Sequence, residues 1–292
     1  MTIQSRSWRI AGGVLLSGLL TFAAPNVQPG PGAVNYVEGL VNLNGKPIDN
    51  SSVGSAMLQA GETLATMNGK AEILLMPGVF LRLGENSQVR MLMPGLADVE
   101  VALDRGQATI EADYLPKESR LKVVENMAVT DILKQGFYVL NAEPPFVQVL
   151  KGKAAVELNG QTATAGEERQ VVETPEGKLK AQYFNEKPVN DSSLVRWSRL
   201  RSQSEAQANL DAARTAVANN GWYGPGWYWG PGWGFWSYLP GDGILYSPFG
   251  FGFYSPFYLG FYGGPYLYGG GFYGPRGGGF AVRGGFGGGG RR

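Results

Sequence analysis

The residues of this chain that could do chemistry are its carboxylates and aromatic rings, because it contains no histidine and no cysteine. It therefore lacks the commonest general base, the commonest transition-metal ligand, thiol nucleophiles and disulfides. Glu111 with Asp113, and Glu167 with Glu168, are paired carboxylates, which can serve as acid and base in glycoside hydrolysis. Acidic residues at strand ends are more commonly solvated, so we expect both pairs to face water.

Other motifs that carry chemistry are missing from the sequence. We find no Gly-x-Ser-x-Gly elbow, no P-loop and no EF-hand loop. The run Pro240-Gly241-Asp242-Gly243 is typical of a tight turn. The net charge of +1 gives no electrostatic case for an acidic partner. The sequence therefore predicts a protein that is not an enzyme, with no catalytic residue, no metal site and no cofactor.

The aromatic rings are concentrated in residues 221–292, which hold five of the seven tryptophans. Flat aromatic faces stack on the apolar faces of sugars, and Tyr and Trp also donate a hydrogen bond. This region could therefore bind polysaccharide or peptidoglycan, or be an adhesive low-complexity tail without a defined ligand. The candidate interaction residues are Trp197, Trp222, Trp227, Trp229, Trp233 and Trp236.

The same region is rich in glycine and proline, which oppose ordered structure through entropy and lost backbone donors. We therefore predict a disordered tail over residues 221–292 that is able to associate with itself. Arg276 and Arg283, each followed by glycines and Phe, resemble RGG-type nucleic-acid segments. The tail has few arginines and an export signal precedes it, so we expect no nucleic-acid partner.

The stretch from Ala60 to Met93 predicts the fold that must position these residues. Its apolar runs are separated by Asn68-Gly69, Pro77-Gly78 and Gly84-Glu85-Asn86, and Asn-Gly is the strongest short hairpin signal. Side chains alternate between apolar and polar within the later runs, as in a strand with one buried face.

Further short strands at near-regular spacing extend this pattern through residues 33–175. The predicted segments are Val34–Leu43, Val99–Leu103, Ala108–Ala112, Arg120–Val124, Met127–Leu133, Phe137–Ala142, Phe146–Leu150 and Ala154–Leu158. They indicate a mainly β fold, with an antiparallel sandwich-like sheet or a rolled or solenoid-like sheet. The domain is long enough to bury a core.

After a predicted linker over residues 176–190, the period changes to that of a helix over residues 191–220. Leu194, Trp197 and Leu200 are three residues apart, and the segment has no internal Gly or Pro. Asp191 or Ser192 can cap its start. We expect the Leu194–Trp197 edge to dock on the β-domain and the alanine-rich half to project or to pair with another chain.

Residues 1–24 predict a secretory signal peptide, with Arg6 and Arg9 before an apolar run and Ala23-Ala24 as small residues for cleavage. An uncleaved anchor, which would make the membrane a partner, is the alternative. Residues 25–32 are predicted to be a linker. We therefore expect the rest of the chain in the periplasm or at the cell surface.

Turn glycines and alternating apolar residues over about residues 33–175 resemble the FecR-like extracytoplasmic domain. The matching positions are Gly61, Glu62, Leu64, Thr66, Ile73, Leu75, Leu81, Leu83, Asn86, Ser87, Leu103, Gly106, Gln107, Gly136 to Val139, Val147 to Val156 with Gly152, and Gly166-Glu167. Two departures occur: Pro77-Gly78-Val79 replaces Asp-Gly-Ser, and the threonine after Gly136 is missing.

The resemblance implies a periplasmic β-domain that relays a receptor signal to a sigma factor through a cytoplasmic anti-sigma segment. Only about nine residues precede the apolar run, so we expect a sensory or assembly role without the full relay. The first hypothesis is thus a non-enzymatic envelope protein that binds a protein partner. The second is a structural protein whose tail anchors it to cell wall or polysaccharide. A carboxylate-based hydrolase is the third.

Overall fold

The structure is a computed structural model that describes residues 29–230 and 232–262. The predicted signal peptide, the first part of the predicted linker and residues 263–292 lie outside the described residues. The strands of the main sheet are β1 Val34–Leu43, β2 Lys46–Ile48, β3 Thr63–Met76, β4 Val79–Leu83, β5 Gln88–Pro94, β6 Asp98–Arg105, β7 Gln107–Ala112, β8 Arg120–Glu125, β9 Ala128–Ile132, β10 Gly136–Ala142, β11 Pro145–Lys151, β12 Lys153–Leu158, β13 Gln161–Gly166, β14 Arg169–Glu173 and β15 Leu179–Tyr183.

Thirteen of these strands form one continuous sheet in the order β13-β12-β9-β8-β6-β5-β3-β4-β7-β10-β11-β14-β15. Strand β1 pairs with β3 and β2. Neighbours are antiparallel except β6 and β8, which run parallel. The sheet is a nearly closed, barrel-like roll rather than a clear sandwich, so the mainly β prediction is confirmed and its sandwich-like form is not.

The two ends of the roll are joined by Gln161, at the start of β13. Its Nε2 donates to the carbonyl oxygen of Gly177 at 2.8 Å, and its Oε1 accepts from the backbone N–H of Leu179 at 3.2 Å. These side-chain bonds bring β13 to β15 where the backbone ladder does not continue. The interior of the roll is therefore bounded on all sides by strands.

The interior is filled by every second residue of the strands, as period-2 patterning requires. On β4, Val79, Leu81 and Leu83 belong to the apolar core inside the roll. Phe80 and Arg82, between them, lie on the outer face and are also buried. A second layer must therefore cover this part of the outer face.

The predicted hairpin turn at Asn68-Gly69 is wrong, because β3 runs through both residues. Gly39 on β1 opposes Gly69 and has φ +71°, and a register shift follows it. A Cβ atom on Gly39 would stand 2.3 Å from the carbonyl oxygen of Asn68. Glycine is needed here for close approach of two backbones at a bulge, not for a turn. Pro77-Gly78 does form the turn between β3 and β4.

The covering layer begins with helices α1, Glu186–Asn190, and α2, Ser193–Ala218. The hydroxyl of Ser192 accepts from the N–H of Val195 and caps α2, so the predicted helix is confirmed. The predicted linker over residues 176–190 instead contains all of β15 and all of α1, and β15 pairs with β14 along the edge of the roll. No helix among the described residues is long and apolar enough to cross a membrane.

The predicted disorder of residues 221–292 differs from the structure in its first part. Residues up to 262 contain strands β16 Gly226–Gly230, β17 Phe235–Leu239, β18 Ile244–Tyr246 and β19 Gly252–Tyr254, and helix α3 Pro256–Tyr262. They form two hairpins and a helix packed on α2. The prediction of disorder rested on the entropy cost of ordering glycine. The aromatic side chains of these residues bury apolar surface against α2, and this burial favours order.

The alanine-rich half of α2 does not project from the molecule, because residues 221–262 pack against it. We call residues 221–262 the aromatic segment. Ala213 and Ala216 lie in one buried cluster with Leu239, Tyr254 and Leu259 of this segment. Small side chains let the hairpins and α3 approach this half of α2 closely. The expectation that this half of the helix projects is therefore wrong.

Candidate functional site

A cluster of charged side chains lies buried between the sheet and α2. Glu72, Arg82 and Glu111 alternate along β3, β4 and β7 with residues of the apolar core, so all three lie on the outer face. Strands β3, β4 and β7 are adjacent in the sheet, which brings these three residues together. Helix α2 covers them and adds Arg201 and Glu205.

Arg82 is the centre of the cluster and is completely buried. Its Nε donates to Oε2 of Glu72 at 2.6 Å, and its Nη1 donates to Glu111. Burial would lower the pKa of Arg82, but Glu111 and Glu72 outweigh it and raise the pKa. Ser202 of α2 donates its hydroxyl to the other oxygen of Glu111. Arg82 thereby links two strands and, through Glu111, the helix.

Arg201 on α2 forms the second half of the cluster. Its Nη2 lies 2.7 Å from Oε1 of Glu72 and 2.7 Å from Oε1 of Glu205, one helical turn further on. Its guanidinium also stacks 4.1 Å from the ring centroid of Tyr36 and 4.4 Å from that of Phe235. Such planar stacking is accessible to Arg and not to Lys.

The protonation of the cluster follows from its burial. Burial would raise the pKa of Glu72, but Arg201 and Arg82 outweigh it and lower the pKa. Burial and the neighbouring Glu72 raise the pKa of Glu205 well above its usual value, and burial and Glu111 do the same for Asp113. The raised pKa values favour the neutral forms of Glu205 and Asp113, which limits the negative charge that is buried in the cluster.

This arrangement is suited to holding two layers together rather than to catalysis. An acid and base must reach a substrate, yet Glu111 is 0% exposed and Asp113 is 2% exposed. The expectation that this pair faces water is therefore wrong, because both side chains are buried and Ser202 of α2 binds Glu111 directly. Glu167 and Glu168, in the β13–β14 turn, are exposed as predicted.

The polar contacts extend from the cluster to the aromatic segment. Asn35 on β1 donates to Glu72, Glu205 and the carbonyl of Trp236, and its Oδ1 accepts from the N–H of Trp236 at 2.8 Å. Asn209 on α2 makes a similar set of bonds, to the backbone of β17 and β19. It donates to the carbonyls of Tyr238 and Tyr254 and accepts from the N–H of Tyr254 at 2.7 Å. Two buried amides thus join the hairpins to the helix and sheet.

The predicted interaction tryptophans do not form one binding surface. Trp236 is buried and packs edge-on against Trp229, with ring centroids 5.2 Å apart. Trp227 packs edge-on against Phe80 of β4 at 5.2 Å. Burial therefore commits these three rings largely to the interior.

The remaining three tryptophans are separated from one another. The indole of Trp197 donates to Oε2 of Glu38 at 2.9 Å, and that of Trp233 donates to Oδ2 of Asp211 at 3.0 Å. Trp222 alone lines an open groove.

The open groove lies between the end of α2 and α3 and has a volume of about 420 Å³. We call it the α2–α3 groove; its lining residues are Ala216, Val217, Asn220, Trp222, Pro256, Phe257, Gly260 and Phe261. None of these carries a charge. Phe261 is 74% exposed and Phe257 is 49% exposed, with their ring centroids 4.7 Å apart. Adjacent exposed aromatic rings of this kind mark interaction sites.

Sequence reasoning missed the charged cluster and both buried amides. One signal was present: Ser198, Ser202, Glu205 and Asn209 are spaced by four, three and four, which puts them on one face of a helix. That polar stripe matches the polar outer face of β3, β4 and β7. Each pattern alone indicates a solvated face, so only their pairing predicts burial.

Comparisons with known proteins give only distant likenesses. No protein-family model matches the chain, and no curated protein matches it. One solved structure, a putative anti-sigma factor from Parabacteroides distasonis ATCC 8503, matches with a TM-score of 0.38 and 15% identity, over 44% of this chain and 62% of that one. A second structure of the same description matches with a TM-score of 0.37 and 14% identity, over 43% of this chain and 61% of that one.

This chain thus matches less than two thirds of the length of those proteins. Both matches are distant structural likenesses to a putative anti-sigma factor, each over less than half of this chain.

Proposed function

We propose that this chain is a non-enzymatic extracytoplasmic protein that acts in envelope sensing or assembly by binding a protein partner at the α2–α3 groove. The observation that carries the proposal is the exposure of Phe257 and Phe261 beside an apolar groove. The same segment buries other rings, such as Trp236, Tyr238 and Phe253, in a cluster with residues of the sheet and α2. Rings left outside while neighbouring rings are buried are available to a partner.

The chemistry of the groove indicates the kind of partner. A volume of about 420 Å³ holds a few aliphatic or aromatic side chains. The lack of charge among its lining residues favours apolar side chains of a protein over nucleic acid or an acidic ligand. Large apolar anchors entering such grooves dominate the energy of protein interfaces.

The non-enzymatic part of the proposal is supported by the state of the carboxylates. Glu111 and Asp113 form the pair closest to an acid–base arrangement, and both are buried away from water. The extracytoplasmic location rests on the predicted signal peptide, and the sensing or assembly role rests on the FecR-like motifs.

A photo-crosslinking residue at Phe261 tests the proposal directly. The full chain carrying p-benzoylphenylalanine at position 261 is irradiated in intact cells, with the same residue at exposed Leu96 as matched control. We expect a discrete adduct with a second envelope protein from position 261 and none from position 96.

Other outcomes of that experiment contradict the proposal. An adduct with a second copy of this chain would show self-association, and an adduct within the chain would show that residues 263–292 fill the groove. Equal adducts from both positions would show non-specific contact, and no adduct from either position would leave the groove without a partner.

A second candidate function is anchoring to cell wall or polysaccharide, favoured by the 92% exposure of Tyr223 next to Trp222. Exposed rings can stack on sugars. Retention of the full chain on peptidoglycan sacculi, lost in a Tyr223→Ser variant and kept in a Leu96→Ser variant, is the expected result for this function. Retention that ignores Tyr223 contradicts it.

A further inference from the structure

A cavity of about 360 Å³ lies inside the roll, at the end where its strands meet in turns. On one side it is lined by Ala128, Val156 and Leu158, and on the other by Val147, Val171 and Leu179. These come from the two halves of the sheet that Gln161 joins. Its volume falls in the range of small-molecule sites, and its walls are mostly apolar, as such sites require.

One buried carboxyl group faces this cavity. Glu125, the last residue of β8, is 1% exposed and lines the cavity. Its Oε2 accepts from the hydroxyl of Thr130 at 3.0 Å, while its Oε1 has no hydrogen-bond partner among the described residues. A buried polar atom without a partner is costly, so a native structure that retains one calls for an explanation.

The surroundings of Glu125 differ from those of the charged cluster. No guanidinium or ammonium group is among the described residues that line the cavity, and the other charged one is Glu173, at the exposed side. Burial raises the pKa of Glu125 to about 8. The two titratable residues that line the cavity, Glu125 and Glu173, are both carboxylic acids. A cation is the charge that complements them.

We propose that this cavity binds a small apolar amine, whose ammonium group donates to Oε1 of Glu125 while its hydrocarbon part fills the space between the two halves of the roll. The three features of the site each match one part of the ligand. The free oxygen accepts the N–H, and the apolar walls bury the hydrocarbon. Because the pKa of Glu125 is about 8, its carboxyl group releases its proton to solvent when the ammonium binds, and the resulting carboxylate balances the charge. The site is distinct from the α2–α3 groove and does not depend on the function proposed for it.

Two probes of the same shape test the proposal on the full chain. 2-Naphthylmethylamine carries an ammonium group, and 2-naphthylmethanol carries a hydroxyl on the same ring system. Titration calorimetry on the wild type, on Glu125→Gln and on Glu167→Gln, an exposed-carboxyl control, measures both affinities. We expect the amine to bind the wild type at least about tenfold more tightly than the alcohol. Glu125→Gln should remove this preference and Glu167→Gln should keep it.

The preference for the amine in the wild type needs no variant, so the test stands even if Glu125→Gln does not fold. Amine and alcohol of equal affinity would overturn the choice of an amine. An amine affinity that Glu125→Gln leaves unchanged would place the probe elsewhere and overturn the site. Absence of binding by both probes would show a cavity without this function.

Discussion

The two halves of α2 bury themselves in opposite ways. The first half meets the sheet through charges, with Arg201 and Glu205 closing a cluster around Arg82. The second half meets the aromatic segment through alanines and Asn209, and ends at the exposed α2–α3 groove. Buried charges have strict geometry and tolerate few alternatives, whereas apolar surfaces accept many partners. The first half thus fixes the helix, and the second half borders the groove for which we propose a partner.

The largest expected effect comes from removing the guanidinium of Arg82, on which the contact between the first half of α2 and the sheet depends. Arg82→Met leaves the buried Glu111 without a guanidinium and Glu72 with Arg201 as its one remaining guanidinium, and we expect it to lower the free energy of unfolding by about 3–5 kcal/mol. Arg90→Met is the matched control, because Arg90 pairs with Asp104 at 2.8 Å in a half-exposed site and should cost no more than about 1 kcal/mol. Urea unfolding measures both, and equal effects would refute the structural role of the cluster.

Glu125 on β8 can be compared with the carboxyl groups of the charged cluster, because it is equally buried but has no guanidinium beside it among the described residues of its cavity. Its pKa is about 8 in the folded chain against an ordinary 4.5, so the folded state holds the proton more tightly and loses stability as pH rises between these values. Glu125→Gln lacks this loss. We expect its stability relative to the wild type to grow by up to about 1.4 kcal/mol per pH unit.

The measurement is urea unfolding of the wild type and Glu125→Gln at pH 5, 6.5 and 8. The exposed Glu167→Gln variant provides the control, and its difference from the wild type should stay constant with pH. A constant difference for Glu125→Gln as well would mean that water reaches Glu125 and that its cavity is not closed.

Asn209 tests the second half of α2. Asn209→Ala removes the bonds to the carbonyls of Tyr238 and Tyr254 and to one N–H, and leaves those groups buried. We expect a loss of about 1–3 kcal/mol and faster proteolysis within residues 221–262. Thr215→Ala, at an exposed position on the same helix, should change neither. Proteolysis unchanged by Asn209→Ala would show that apolar packing alone holds the segment.

The sequence was sufficient for elements that depend on local patterning. Alternation predicted strands such as those at Val79–Leu83 and Gln107–Ala112, and the capped periodic segment predicted α2. The sequence pattern was insufficient where contacts with residues far along the chain determine the local structure. Asn68-Gly69 lacks its turn because Gly39 lies opposite, and the aromatic segment is ordered because α2 offers it a face.

The candidate sites were harder to predict for the same reason. Glu111 has the pattern of a solvated residue until α2 is placed over it, with Ser202 lying 91 positions further along the chain. The tryptophans direct attention to residues 221–262, but the sequence does not show which of their aromatic rings remain exposed. Trp222 is the one predicted residue that lines the groove, while Phe257 and Phe261 supply its exposed rings.

Partner binding at the α2–α3 groove is tested most directly by retention of the chain on washed cell envelopes. A variant with Phe257→Ser and Phe261→Ser is compared with the wild type and with Leu96→Ser, another exposed apolar residue. Circular dichroism and urea unfolding should be unchanged in both variants, because these rings lie largely outside. We predict that the wild type and Leu96→Ser are retained and that the double variant is released. Retention of the double variant at the wild-type level would contradict the proposal.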